Sequence, residues 1–166
     1  MNILLTGEPD VRAEVVSDLL DALERPIGGL QSYQDEADGA DIIAMRDLND
    51  DSSTVLAHEH DEEGTEFGKY HIHVEELSKM GRHAIIEAIR RGDMIVIDRI
   101  GQVQMHSATF RESVRDAFRG TEDVLAVVDA EYVDEFQDEG EVLRVTKDNR
   151  EQVLRQLVDR FTRGKI

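Results

Sequence analysis

Three short runs of almost unbroken aliphatic sequence, Asn2 to Thr6, Met94 to Asp98 and Val124 to Asp129, restrict this chain more than any other feature. A strand with one wet face alternates apolar and polar residues. A strand covered on both faces does not, so runs like these belong in a parallel sheet with helices on either side. The helices are legible too. Val11, Val15, Val16, Leu19, Leu20 and Leu23 recur at three-to-four spacing, as do Leu77, Met80, Ile85, Ile86 and Ile89, and again Val153, Leu154, Leu157, Val158 and Phe161. Alternating strands and helices predict an α/β sandwich with a mostly parallel central sheet.

The segment from Pro26 to about His73 reads differently. Gly28-Gly29, Asp38-Gly39 and Asn49-Asp50-Asp51 punctuate short runs such as Asp41 to Arg46 and Thr54 to His58, a pattern of antiparallel hairpins rather than helical crossovers. We expect a β-rich insertion, residues 26–73, on one sheet edge within a single domain spanning residues 1–166. With 166 residues and 40% apolar content the chain can bury one sizeable core. The acidic stretch Glu59 to Glu66 reads as a solvated loop, and Asp148 with Glu151 as a capping box opening the last helix.

Charge narrows the partners. A net charge of −18 disfavours nucleic acid and anionic membrane, both of which need cationic surface. No apolar run approaches the roughly 18 residues of a membrane span, and no basic region followed by an apolar signal segment opens the chain, so a cytoplasmic protein is expected. Zero cysteines exclude disulfides, cysteine-ligated zinc and thiol catalysis. Acidic residues outnumber basic ones by 37 to 19, and only four of the basic residues are lysine, a balance that predicts a high-salt cytosol.

The first strand leads through GEPDVRAE, Gly7 to Glu14, into the first helix, which is the place and length of a phosphate-binding loop. Such a loop needs a second glycine, a lysine to neutralise the β- and γ-phosphates and a hydroxyl to hold Mg²⁺. Arg12, Ala13 and Glu14 stand at those three places. The second aliphatic strand ends in Asp98, where such folds hold the magnesium shell, but Arg99 follows in place of a water-orienting glutamate.

The order of these motifs resembles the THEP-type nucleoside-triphosphatases, also called cancer-related nucleoside-triphosphatases, almost from end to end. The likeness rests on ILLTGEP at Ile3 to Pro9, on Phe67-Gly68-Lys69-Tyr70 and on IVIDRIGQVQM at Ile95 to Met105. Phe110-Arg111-Glu112, Thr146 and Asn149-Arg150 extend it. In that family the loop typically reads GEPGVGKTT and the second strand IDEIGKMEL. The resemblance implies a P-loop NTPase (RecA-like) three-layer sandwich with an antiparallel β-hairpin insertion, and hydrolysis of ATP or GTP with Mg²⁺. It places the family's lysine at Ala13, its threonine at Glu14, the glutamate of its Asp-Glu pair at Arg99 and its second glutamate at Gln104.

Four chemically essential positions have changed together, so the reading is a catalytically degenerate member with a binding, scaffolding or regulatory role and a protein partner of unnamed kind. No catalytic residue, metal or cofactor is expected; Mg-ATP or Mg-GTP would return only with the family activity. The degenerate site comprises Gly7, Glu8, Pro9, Asp10, Val11, Arg12, Ala13, Glu14, Asp98 and Arg99. An acidic loop now faces a basic strand end, which predicts an ion pair from Arg99 to Glu14 or Asp10. The alternative has Arg12 and Arg99 replacing the lost cations, for residual hydrolysis or for binding a nucleotide or a smaller anion at the helix N-terminus.

Other groups have structural readings beside functional ones. The pairs His58 with His60 and His71 with His73 would each project from one strand face, as metal ligands or as a solvated hairpin face. Asp98 reads as a retained structural acceptor, Gly101 as a turn and His106 as an exposed helix start. Asn149 and Arg150 either contact nucleotide or anchor the last helix. Ser107 and Ser113 lack the His/Asp partners of a serine hydrolase.

Overall fold

The protein is described by a computed structural model over residues 1–163. In chain order its elements are β1 (Asn2–Gly7), α1 (Pro9–Ala22), β2 (Ile27–Ala37), β3 (Ala40–Asp47), β4 (Ser53–His58), β5 (Thr65–Phe67) and β6 (Tyr70–Ile72). They continue with α2 (Val74–Arg91), β7 (Met94–Ile100), α3 (Ala108–Arg119), β8 (Val124–Val128), the short α4 (Val133–Phe136), β9 (Glu141–Val145) and α5 (Arg150–Arg163). One nine-stranded sheet runs in the order β5-β6-β4-β3-β2-β7-β8-β1-β9. No helix among the described residues is long and apolar enough to cross a membrane.

The aliphatic runs lie where parallel pairing needs them. β7 pairs in parallel with both β2 and β8, and β1 with both β8 and β9. Neighbouring side chains on these strands enter different layers. Leu4, Ile95, Ile97, Ala126 and Val128 pack with α2 and α3 through Leu77, Ile85, Phe110 and Val114. Ile3, Leu5, Met94, Val96, Leu125 and Val127 pack with α1 and α5 through Val15, Leu19, Leu157 and Phe161. Both faces being buried removes any reason for polar alternation.

β2 belongs to two regimes. Ile27 to Gln31 pair in parallel with β7, while Leu30 to Ala37 pair antiparallel with β3. The opening of the 26–73 segment therefore lies inside the parallel core, and β3 to β6 extend the sheet beyond it. β9 has a sequence, Glu141-Val142-Leu143-Arg144-Val145, without an aliphatic run; it is an edge strand, so one row of its backbone groups faces away from the sheet and mixed polarity is tolerated.

The last helix corrects its expected cap. It begins at Arg150, one residue later than a cap at Asp148 would place it. Asn149 instead exchanges hydrogen bonds with Thr146: the Thr146 N–H donates to Asn149 Oδ1 at 2.6 Å, and the Asn149 N–H donates to Thr146 Oγ1 at 3.3 Å. Asn149 Nδ2 also donates to the Arg144 carbonyl on β9 at 2.9 Å, tying the helix to the sheet.

Candidate functional site

The residues expected to form a loop after β1 are helical. Gly7 closes β1 at φ +133°, with the Val145 carbonyl oxygen 2.2 Å from where a β-carbon would stand, so only glycine fits. Glu8 is the extended residue before the helix, and Pro9 supplies the pre-set φ of a first helical position. The Arg12 N–H donates to the Glu8 carbonyl at 2.9 Å, an ordinary i to i−4 helical bond. Pro9 to Glu14 are thus the opening turns of α1.

That helix sorts the site residues by face. Val11 and Arg12 point inward and are buried, while Asp10, Ala13 and Glu14 are exposed, as are Glu8 and Pro9. Arg12, only 4% exposed, reaches across the strand ends: its NH2 lies 2.9 Å from Asp129 Oδ1 and its NH1 donates to the Val128 carbonyl at 3.4 Å. The strand order explains this reach, because β8 lies between β1 and β7 and carries Asp129 into the gap between the α1 start and Asp98.

Arg99 converges on the same carboxylate. Its NH2 lies 3.5 Å from Asp129 Oδ2. The β7–β8 register shifts between Asp98 and Ile100, leaving Arg99 outside the ladder. The expected pairing of Arg99 with Glu14 or Asp10 is therefore corrected. Glu14 faces α5 and pairs with Arg150 Nε at 2.9 Å; the same guanidinium holds Asp18 at 2.6 Å and Glu151 at 2.8 Å. Asp10 stays exposed in the first turn of α1. A helix start at Pro9 turns both carboxylates away from β7.

Asp129 is the residue that sequence reasoning left without a role. Its signal was present, since it ends an aliphatic run just as Asp98 does, but nothing in one dimension shows that its strand is inserted between the other two. Gly101 makes the convergence possible. A β-carbon there would lie 2.5 Å from Asp129 Oδ2, 3.1 Å from Arg99 Nε and 3.2 Å from Gln104 Oε1. Gln104 is buried, donates from Nε2 to Ser32 Oγ at 3.0 Å, and leaves Oε1 without a protein partner, as Arg99 Nε also is.

Asp98 lies beside this cluster. Burial pushes its carboxyl up to about 6; the Arg12 charge, a hydrogen bond with Gln31 and the Arg99 charge pull the other way, and Asp129 adds to the rise. Asp98 also lines a recess of about 410 Å³ with Ala13, Gln31, Ser32, Tyr33 and Arg46.

The remaining candidates settle into structural positions. His58 and His71 are cross-strand neighbours on β4 and β6. His73 Nε2 lies 2.6 Å from Asp61 Oδ2, His60 Nε2 lies 3.2 Å from Glu59, and the His58 ring accepts the His60 N–H at 3.0 Å. Among the described residues no group of three or more His, Asp or Glu is arranged to hold a metal ion. Ser107 caps α3 by accepting the Phe110 N–H at 3.0 Å, and the Ser113 hydroxyl donates to the Thr109 carbonyl at 2.9 Å. His106 is exposed just before α3.

Comparison with known proteins follows this architecture. A family profile described as NTPase matches residues 2–158. The nucleoside-triphosphatase THEP1 of Methanosarcina acetivorans is 30% identical over 173 residues, covering 98% of each chain. That of Methanocaldococcus jannaschii is 28% identical over 170 residues, covering 99% of each. The crystal structure of THEP1 from the hyperthermophile Aquifex aeolicus matches with a TM-score of 0.78 at 20% identity, over 96% of this chain and 98% of that one, which establishes the shared fold.

Proposed function

The chain belongs to the NTPase family that includes these THEP1 nucleoside-triphosphatases, and from that premise we propose that it is a catalytically degenerate member with a binding or regulatory role. The observation that carries the reading is the helical bond from the Arg12 N–H to Glu8. A phosphate loop works by aiming free backbone N–H groups at the phosphates. Here the helix takes up the N–H groups from Arg12 onward, at the positions of the family's glycine, lysine and threonine, and leaves those of Asp10 and Val11.

Charge supports the same conclusion. Phosphoryl transfer depends on cations at the phosphates and on a group that orients the attacking water. Arg12 and Arg99 both converge on Asp129, Ala13 offers no charge, and Glu14 is engaged by Arg150. An incoming triphosphate would have to compete with the Asp129 carboxylate for the guanidiniums of Arg12 and Arg99, with no lysine at position 13 to offset its charge. A Mg²⁺–nucleotide does not fit these residues. Hydrolysis or anion binding through Arg12 would first require its guanidinium to leave Asp129, and Arg99 keeps only the donors not aimed at that carboxylate. The −18 charge supports a high-salt cytosol as the working environment, with a protein partner in place of a turned-over nucleotide.

Phosphate release from ATP and GTP with Mg²⁺ in molar KCl tests the proposal. The parent is expected to match a protein-free control, and an Ala13→Lys, Glu14→Thr, Arg99→Glu variant to gain a rate the parent lacks. Parent turnover of about 1 per second or more, ordinary for an enzyme, overturns it.

A further inference from the structure

The sheet extension carries an aromatic platform beside the Asp98 recess. Tyr33 on β2 pairs with Ala44 on β3, and Ala44 pairs with Val55 on β4, so the three side chains share one face. The Tyr33 hydroxyl donates to Ser53 Oγ on β4 at 3.2 Å. Because β3 separates β2 from β4, that bond holds the phenol ring across β3, above the small side chain of Ala44, which is 3% exposed. Tyr33 is 39% exposed and Val55 36%, which leaves the outer ring face open.

Polar groups stand in register along one side of this ring. Asp98 on β7, Gln31 on β2 and Arg46 on β3 are cross-strand neighbours. Gln31 Oε1 accepts from Arg46 NH2 at 2.8 Å, and Gln31 stands between Arg46 and Asp98 in the sheet register. An acceptor and a donor therefore flank Gln31, with backbones two strand spacings apart, roughly 9.6 Å. Exposed Ala13 forms the near wall, and the neighbouring cation of α1, Arg12, is buried against Asp129. A recess of about 410 Å³ with one aromatic surface and few convergent polar groups has the dimensions and make-up of a small-molecule site.

We propose that this recess binds a planar heteroaromatic amine without phosphate, its ring stacked on Tyr33, its amino group donating to Asp98 and a ring acceptor facing Arg46. The proposal rests on the degenerate reading above, because a lysine at position 13 and a polyphosphate would occupy the same space. Tyr33 supplies rigid contact area, as stacking platforms do for bases. Asp98 and Arg46 set the orientation, Arg46 having donors beyond its bond to Gln31 and Asp98 its carboxylate oxygens.

Isothermal titration in molar KCl with adenosine, cytidine and guanosine, set against Mg-ATP, tests it. At least one nucleoside is expected to bind with submillimolar affinity. Tyr33→Ala should weaken it about tenfold, Asp98→Asn by a similar factor, and Tyr33→Phe should retain it, since the ring survives. Silence from every nucleoside and from Mg-ATP sinks this proposal and leaves the degenerate reading standing; Mg-ATP binding tighter than any nucleoside sinks both. The proposal also fails if Tyr33→Ala leaves nucleoside affinity unchanged, or if size-exclusion chromatography shows a parent dimer that Tyr33→Ala dissociates, because a second copy would then cover the ring.

Discussion

Two regions of one sheet handle charge in opposite ways. At the end of the parallel half, Arg12, Asp129 and Arg99 meet with Arg12 out of water, and a buried guanidinium tolerates few alternatives to its partner. On the antiparallel extension, Lys69 bonds to Asp41 and lies 3.2 Å from Glu59, and His60 lies 3.2 Å from Glu59, all at side chains that water reaches. The number of ion pairs is therefore a poor guide to their importance. Solvent decides, because water and salt replace a lost partner at the surface and cannot do so beneath α1.

The largest test of that contrast is Asp129→Ala, which strands Arg12 unpaired in the core. It is expected to cost about 3–5 kcal/mol in urea or thermal unfolding. Replacing both partners, Arg12→Met with Asp129→Leu, should recover most of the loss, since neither charge of the pair is left without the other. Little loss in the single variant would break the comparison.

Asp98 gives the next effect, with a sign set by its raised carboxyl. Native Asp98 holds its proton up to about 6, whereas the unfolded group releases it near the ordinary 3.8. The native state binds more protons in that window, so this group's contribution to stability falls as pH rises from about 4 to about 6 and stays low above. Asp98→Asn should thus stabilise the protein at pH 7.5 by about 1–3 kcal/mol, allowing for the partial exposure of the group, and leave it near parity at pH 3.5. Paired melts at the two pH values show whether the gain appears only on the alkaline side.

The smallest effects belong to the surface. Arg150→Ala removes the contacts to Glu14, Asp18 and Glu151 and should lower the melting temperature in dilute buffer by an amount that shrinks as KCl rises. Lys69→Ala should do the same on the extension. If either loss persists undiminished in molar salt, the division between dry and wet ion pairs is wrong.

Much of the architecture was legible in one dimension, for local reasons. Ile3 to Leu5 and Ile95 to Ile97 are apolar at consecutive positions because each strand feeds two cores, and the periodic helices show which side they bury. Turn residues at Asp38-Gly39 and Asn49-Asp51 marked the hairpins correctly. The α1 start was less legible. GEPDVRAE has the spacing of a loop, yet without glycine beyond Gly7 nothing opposes helix from Pro9 onward, and one extra turn rotates Arg12 inward and Glu14 outward.

The sequence by itself determined the parallel core, the helices that cover it and the hairpin edge, because each follows from side-chain type and short-range spacing. Only the tertiary structure decided who neutralises whom. Strand order is a long-range property, and inserting β8 between β1 and β7 gives Arg12 and Arg99 a shared carboxylate 117 and 30 residues further along the chain, while the helix start at Pro9 turns the expected partners away.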